Sequence, residues 1–250
     1  MSNKIRRFGL IGFPLSHSFS PGYFSAKFER EGLLDCRYDA FPLPSLEELP
    51  KLLAQTPNLE GLNVTIPYKT SVIPLLDSMS EAAKAIGAVN VIKIKNGRLI
   101  GYNSDVDGFE KSLLDFLETP TAPDLKALVL GTGGAAKAVI VVLKKLGIGF
   151  QSVSRKPSSE AISYEEITPA VFQSHRLIVN TTPLGMSPNL ENCPQLPYEL
   201  ATPDHFFYDL VYNPEKTRFL ALAEAAGSHI QNGLSMLHLQ AERAWEIWQD

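Results

Sequence analysis

Long apolar runs are missing from this chain. The densest, Val139-Ile140-Val141-Val142-Leu143, has lysines on either side and falls far short of the ~20 apolar residues that span a bilayer. A membrane helix is therefore not expected. Cysteine is scarce: with only Cys36 and Cys193, no disulfide framework is expected, and a reducing compartment suits the chain. No basic block of five or more residues occurs and the formal net charge is −4, which argues against nucleic acid as a partner. There is no G-x-S-x-G, and His17, His175, His205, His229 and His238 lack metal-ligand spacing, so hydrolase and metal-centre readings are poor. The opening KIRRFGLIGFPL imitates a signal peptide, but its apolar part is short and broken by Gly12 and Pro14. It reads better as a first strand running into a turn. The expectation is a soluble cytoplasmic protein.

What is present is the composition of an ordinary globular chain. The 250 residues, 44% hydrophobic and 20% charged, suffice for one large domain or two modest ones. The pattern predicts strands at 7–12, 37–41 and 62–66 and helices at 23–31, 46–54 and 80–86. Two alternating runs then meet at Asn96-Gly97, a strong hairpin signal, and a helix over 106–117 follows. The stretch ETPTAPD, 118–124, is a Pro/Thr break. Beyond it the alternation restarts: strand 127–130, helix 135–146, strands 150–154, 177–180 and 206–210, helix 218–226. Strands alternating with helices imply βαβ units and a mainly parallel sheet, and two such series imply two α/β domains. In the last helix Leu237, Ala241, Ala244 and Trp248 form an apolar stripe with Gln240 beside it. Gln240 is then either an edge-of-stripe glutamine or a buried polar group in need of a partner.

VLGTGGAAKA, 129–138, follows a short apolar strand and opens a helix. Gly131, Gly133 and Ala136 fit G-x-G-x-x-A, in which the glycines allow a tight turn and close approach to a pyrophosphate. The helix N-terminus offers amide groups and a partial positive charge to the phosphates. An NAD site usually carries an acid about 20 residues on, at the end of the next strand. Here that strand ends in Ser154-Arg155-Lys156, two cations and no acid, which favours the 2′-phosphate of NADP. A nicotinamide cofactor implies hydride transfer and one proton to manage.

Two candidates for the proton sit just past strand ends. Lys69 follows GLNVTIPY, and Asp105 lies in GYNSDVDGF. In parallel sheets ligands bind at the carboxyl ends of strands, so the two are expected to face one another within reach of the nicotinamide ring. In GFPLSHSFSP, residues 12–21, Ser16, Ser18 and Ser20 surround His17. Alternate hydroxyls on an extended segment can bind a carboxylate, although Ser20-Pro21 is also a good helix start.

Taken together these segments resemble shikimate dehydrogenase, over nearly the whole chain. GFPLSHSFSP is similar to the family's carboxylate-binding segment, with Ser18 and Ser20 at its serine positions. GLNVTIPYK matches G-x-N-V-T-x-P-x-K, which carries Asn63, Thr65 and the catalytic lysine as Lys69. GAVNV supplies Asn90, and GYNSDVDGF matches G-x-N-T-D-x-x-G with the catalytic aspartate as Asp105 and Ser104 in place of Thr. NTTPLGM resembles N-x-T-P-x-G-M, DLVYNPEKT carries Tyr212, and NGLSMLHLQA carries Gly233, Met236 and Gln240. SRK stands where the family usually has N-R-T.

The resemblance implies an α/β protein of two domains. A substrate-binding and catalytic domain would comprise residues 1–104 with 234–250, and a Rossmann-like NADP domain residues 105–233, the last helix returning to the first domain. It implies NADPH-dependent, reversible reduction of 3-dehydroshikimate to shikimate by a monomer or homodimer. Substrate contacts would come from Ser18, Ser20, Asn63, Thr65, Asn90, Asp105, Tyr212 and Gln240. Cofactor contacts would come from Gly131, Gly133, Gly134, Ala135, Ser154, Arg155, Lys156, Thr181, Thr182, Leu210, Gly233 and Met236. Relatives that accept quinate, and often NAD, tend to differ at the first serine and to carry an acid after the second strand. This chain does neither, and a broader quinate/shikimate dehydrogenase is the nearest alternative. An NADP sensor that keeps the glycine loop is the other, but such a protein has no need of Lys69 and Asp105.

Overall fold

The computed structural model describes residues 5–16, 18–117 and 124–250. His17, expected to lie within the serine segment, and residues 118–123 of the Pro/Thr break fall outside the described residues. Contacts divide the chain into two units, Met1–Ser104 with Ala241–Asp250, and Asp105–Gln240.

In the first unit the chain runs β1 (Arg6–Gly12), α1 (Phe19–Arg30), β2 (Cys36–Pro42), α2 (Leu49–Gln55), β3 (Leu59–Val64), α3 (Tyr68–Ser71), β4 (Ser78–Met79), α4 (Glu81–Ile86), β5 (Val91–Lys95) and β6 (Arg98–Tyr102). The described strands form a sheet ordered β2-β1-β3-β5-β6-β4. β1 is parallel to β2 and β3, while β5 runs antiparallel to β3 and β6. The β5–β6 turn has φ of +53° at Asn96 and +76° at Gly97, the pair of positive angles that a tight type I′ hairpin demands. β3 stops at Val64, short of the expected 66. The Thr65 N–H turns to Ile11 O (2.9 Å), and Pro67 has no N–H to continue a ladder. The helix expected over 46–54 is split. Ser45 caps a 3-10 turn over Leu46–Glu48, and Pro50, in the first turn of α2, cannot donate back to Leu46.

Period-two alternation distributes the sheet's side chains between two cores. Phe8, Leu10, Tyr38 and Val91 face α1 through Phe24 and Phe28; Leu62, Val64 and Ile92 face Leu49, Val72 and Ala83 on the other side. Asn63 is buried between Leu62 and Val64 in sequence but points with Tyr38.

The second unit contains α5 (Ser104–Leu117, from its second residue), β7 (Lys126–Leu130), α6 (Gly134–Lys145), β8 (Gly149–Val153), β9 (Ala161–Ile162), α7 (Pro169–Ser174), β10 (Leu177–Asn180), β11 (Phe206–Asp209), α8 (Arg218–Ala225), β12 (His229–Gln231) and the start of α9 (Leu234–Gln249). The described strands are ordered β12-β11-β10-β7-β8-β9 and every pairing is parallel. That is the doubly wound Rossmann order, in which the direction of winding reverses between β7 and β10. β4, β9, β12 and α7 were not legible in the pattern; two or three strand residues, or a helix of six, are too few to establish a period.

α9 belongs to both units by sequence. Its early turns pack on α5 at Gly108, where an added Cβ would come within 2.8 Å of Met236 O and 2.9 Å of Gln240 N. Its end returns to the first sheet, as expected. Ala241, Ala244, Ile247 and Trp248 are buried there, and Trp248 Nε1 donates to Ile92 O at 3.1 Å. Burial of such a large side chain stabilises by roughly 3 kcal/mol. Lys27 of α1 ties the same helix down by an ion pair to Glu242 (2.6 Å), and it also pairs with Glu31 at the end of its own helix (2.8 Å).

Candidate active site

Sheet winding in the first unit reverses between β1 and β3, and the segments leaving those two strands carry the expected substrate residues. Ser18 is the N-cap of α1 by position, with extended backbone, but its side chain makes no cap bond. Ser20 lies within the first turn, two residues past the N-cap position, so the capping reading of Ser20 does not hold. At the other strand end Thr65 is half-buried, its carbonyl accepting the Tyr68 N–H at 2.9 Å. Tyr68 is buried and donates its hydroxyl to Leu43 O at 2.6 Å. This fixes the short helix α3 on which half-buried Lys69 stands, and the Lys69 carbonyl accepts the Val89 N–H at 2.7 Å.

Three further side chains form a buried chain. Tyr38 donates to Asn63 Oδ1 at 2.7 Å, and Asn63 Nδ2 donates to the Asn90 carbonyl at 3.4 Å. The Asn90 side chain in turn clasps Ser104: Nδ2 donates to Ser104 Oγ at 3.1 Å, and Oδ1 accepts the Ser104 N–H at 2.7 Å. Ser104 has no solvent exposure. The hydroxyl retained at this position is therefore a structural partner of Asn90, and the clasp fixes the backbone one residue before Asp105. Neutral amides and hydroxyls can be buried here because each finds a partner.

In the second unit Asp105 is half-buried near the start of α5, one turn before the helix contact at Gly108. That contact accounts for the glycine three residues after the aspartate and brings the Asp105 helix against Gln240. Gln240 is buried and donates to Leu237 O at 2.9 Å, so it is a buried polar group, not a solvated edge residue.

The β7–α6 loop behaves as its glycines require. Gly131 has φ +106°, and a Cβ there would lie 2.7 Å from Thr181 Oγ1. Gly133 is the N-cap of α6, and a Cβ on Gly133 or Gly134 would meet nothing within 4 Å. Exposed Ala135 follows in the first turn. The loop thus leaves room over the helix N-terminus for a group that needs amide donors. Beside it a cavity of about 690 Å³ is lined by Ser154, Arg155 and Lys156 from the end of β8 and by Lys137 from α6, with Glu160 on its wall. The three cations outnumber the single acid. Lys137 was missed in the sequence; it stands three residues after Gly134, which puts it on the loop side of the helix.

Thr181 and Thr182 follow β10, on the other side of the reversal point from the glycine loop. Thr181 Oγ1 donates to Leu130 O at 2.6 Å, and Thr182 Oγ1 to Asn180 Oδ1 at 2.6 Å. Asn180 Nδ2 reaches fully buried Asp209, which also accepts from the Val211 N–H and the Thr217 hydroxyl. Burial pushes the Asp209 carboxyl up to about 6, and its three donors hold the rise back. The Gly233 N–H donates to Val211 O at 3.1 Å, which brings the Leu210 segment and the start of α9 together. Met236 is half-buried on α9, and Tyr212 is exposed in the segment after β11.

Relatives of known name match the chain over nearly its whole length. The family model for the shikimate dehydrogenase substrate binding domain matches residues 10–92. The shikimate dehydrogenase (NADP(+)) of Desulforamulus reducens is 37% identical over 99% of this chain and 91% of its own. The chain belongs to the shikimate dehydrogenase family. Among solved structures, shikimate 5-dehydrogenase from Thermus thermophilus, in complex with NADP(H) and shikimate, is 34% identical at a TM-score of 0.83, over 97% of this chain and 93% of that one. Quinate dehydrogenase from Corynebacterium glutamicum, in complex with NAD, is 29% identical at a TM-score of 0.85, over 98% of this chain and 94% of that one. No helix among the described residues of this family member is long and apolar enough to cross a membrane.

Proposed function

We propose that this chain catalyses the reversible NADPH-dependent reduction of 3-dehydroshikimate to shikimate, a step toward chorismate and the aromatic amino acids. The observation that carries this reading is the near-full-length match to a shikimate dehydrogenase (NADP(+)). The buried Asn63–Asn90–Ser104 chain at the first sheet's reversal point and the cation-lined cavity of the second unit support it.

The residues of the second unit fit NADP. Amides at the N-terminus of α6, with the open space over Gly133 and Gly134, suit the pyrophosphate, and Arg155, Lys156 and Lys137 suit the 2′-phosphate. Ala135, Ser154, Thr181, Thr182, Leu210, Gly233 and Met236 would complete its contacts. Bound NADPH supplies the hydride that converts the ketone to an alcohol. Ser18, Ser20 and Tyr212 would hold the carboxylate, and Asn63, Thr65, Asn90, Asp105 and Gln240 the ring hydroxyls. Lys69 would stand nearest the carbonyl oxygen and stabilise its developing negative charge. Lys69 and Asp105 would act as a coupled pair, the carboxylate orienting the ammonium and the two sharing the proton. We assign residues 1–104 with 234–250 to the substrate-binding and catalytic domain and 105–233 to the NADP domain, in a cytoplasmic monomer or homodimer.

A quinate-accepting enzyme is the second reading, because a quinate dehydrogenase is 29% identical over 98% of the chain. Retention of Ser18 and of Ser154-Arg155-Lys156 weighs against it. Nicotinamide absorbance followed with shikimate or quinate, each paired with NADP or NAD, decides. Shikimate with NADP should be the fastest pairing by at least ten-fold. Faster turnover of quinate with NAD would reverse the assignment, and no turnover in any pairing would leave a binding protein.

A further inference from the structure

Tyr38 belongs to none of the motifs above, yet its hydroxyl is bonded to one of them. Its ring is core: 7% exposed, stacked on Phe24 at 4.6 Å and 10°, and packed near Trp248. Phenylalanine would fill that space without the cost of burying a hydroxyl. The hydroxyl reaches a proposed substrate ligand: its proton goes to Asn63 Oδ1 at 2.7 Å. Burial holds the phenol far above its ordinary range, so it stays a donor throughout neutral pH.

The consequence falls on Asn63. A primary amide can be turned end for end at almost no steric cost; the polarity of its partners decides which end points where. On one side Asn63 meets a hydroxyl whose only proton is aimed at it. On the other it meets the Asn90 carbonyl, which can only accept and already takes the Val64 N–H at 2.8 Å. Both partners demand the same orientation, with oxygen toward β2 and nitrogen toward β5.

We propose that Tyr38 is a positioning residue: its hydroxyl fixes the Asn63 amide so that Asn63 offers hydrogen-bond donors, not an acceptor, to a ring hydroxyl of the substrate. This deepens the reading of the chain as a shikimate dehydrogenase and rests on it. Without the hydroxyl only the long bond to the Asn90 carbonyl, at 3.4 Å, still favours that orientation, and the reversed amide, which does not suit the substrate, gains population.

The test is a pair of mutant cycles. Tyr38→Phe should raise KM for shikimate about ten-fold, the usual scale for one lost partner in a buried polar pair, with KM for NADP unchanged within two-fold. The effect should vanish in an Asn63→Ala background and persist in a Ser20→Ala background. Tyr208→Phe, which removes a buried hydroxyl bonded to Ser112 in the other unit, should leave KM for shikimate unchanged. A Tyr38→Phe effect that is undiminished without Asn63, or that moves both KM values together, would reduce Tyr38 to a packing residue. If wild-type protein fails to oxidise shikimate with NADP, the functional reading falls instead. The orientation claim would still stand or fall on the Asn63 side-chain amide signals in a 15N spectrum, which Tyr38→Phe should shift and Tyr208→Phe should not.

Discussion

At the reversal point of the first sheet, polar side chains hold one another; at that of the second, glycines clear a space and cations line it. Tyr38, Asn63, Asn90 and Ser104 are buried and linked donor to acceptor. Gly133, Gly134, Arg155 and Lys156 are exposed. The difference follows from what each end is proposed to bind. A sugar-like ring with several hydroxyls is recognised only if each protein group is fixed as donor or acceptor, and fixing it requires a buried partner. A phosphate accepts from any direction, so backbone amides and mobile cations serve, provided no side chain blocks the approach. The second unit keeps its buried charge, Asp209, beneath the loop, where it braces Asn180, Val211 and Thr217.

The largest effect is expected at the one cation on the first side's strand ends that the chemistry uses. Lys69→Ala should lower kcat by roughly two to four orders of magnitude, the scale of acid–base catalysis, with a much smaller change in KM because several neutral groups hold the substrate. Steady-state kinetics with shikimate and NADP would show it. Near-normal turnover would remove Lys69 from the chemistry and leave the first side a binding surface only.

Buried charge in the second unit should show itself in stability. The Asp209 carboxyl is raised from 3.8 to about 6. Between those values the folded state binds the proton and the unfolded state does not, so the contribution is full below pH 3.8 and is lost as pH rises through 6. At 1.36 kcal/mol per unit the loss is about 3 kcal/mol. Asp209→Asn keeps an acceptor for Asn180 and Val211, and the Thr217 hydroxyl can turn to accept, so the variant serves as a reference that does not titrate. Denaturant unfolding of both proteins from pH 4 to 7.5 should show wild type gaining on the variant as pH falls. A constant difference would mean that the hydrogen bonds fully offset desolvation.

Not all of this contrast was legible in the sequence. The glycine loop, the cations after β8, the hairpin at Asn96-Gly97 and the α/β alternation could be read because each depends on local backbone geometry or on periodicity. Gly108 was visible as a motif glycine, but its reason, contact with α9, lies 128 residues away in sequence from Met236. Tyr38 was invisible: a tyrosine at an inward position of an edge strand reads as core, and only tertiary structure shows a hydroxyl aimed at Asn63. Ser20 looked equally suited to capping, but the helix begins at Phe19 and puts Ser18 at the cap position instead. Short strands such as β9 and β12 carry no period of their own and exist because the sheet offers them an edge.

The smallest of these effects sharpens the contrast from the cofactor side. Arg155 is exposed and lines the cavity with Lys137 and Lys156, so its loss leaves two cations in place. One charge-assisted hydrogen bond to a phosphate contributes about 1.5–3 kcal/mol, and neighbouring cations soften its removal. Arg155→Ala should therefore weaken NADPH by about ten-fold or somewhat more while leaving NADH nearly unchanged, as read by titration of nicotinamide fluorescence without substrate. The loss should shrink at high salt, because a solvent-exposed cation is screened, whereas the Tyr38→Phe effect on shikimate should not, because no charge is involved. Equal loss for NADPH and NADH would take Arg155 away from the 2′-phosphate. A salt-insensitive loss would mean that its guanidinium acts through a fixed, desolvated contact, and the two sides of the protein would then be more alike than their exposure suggests.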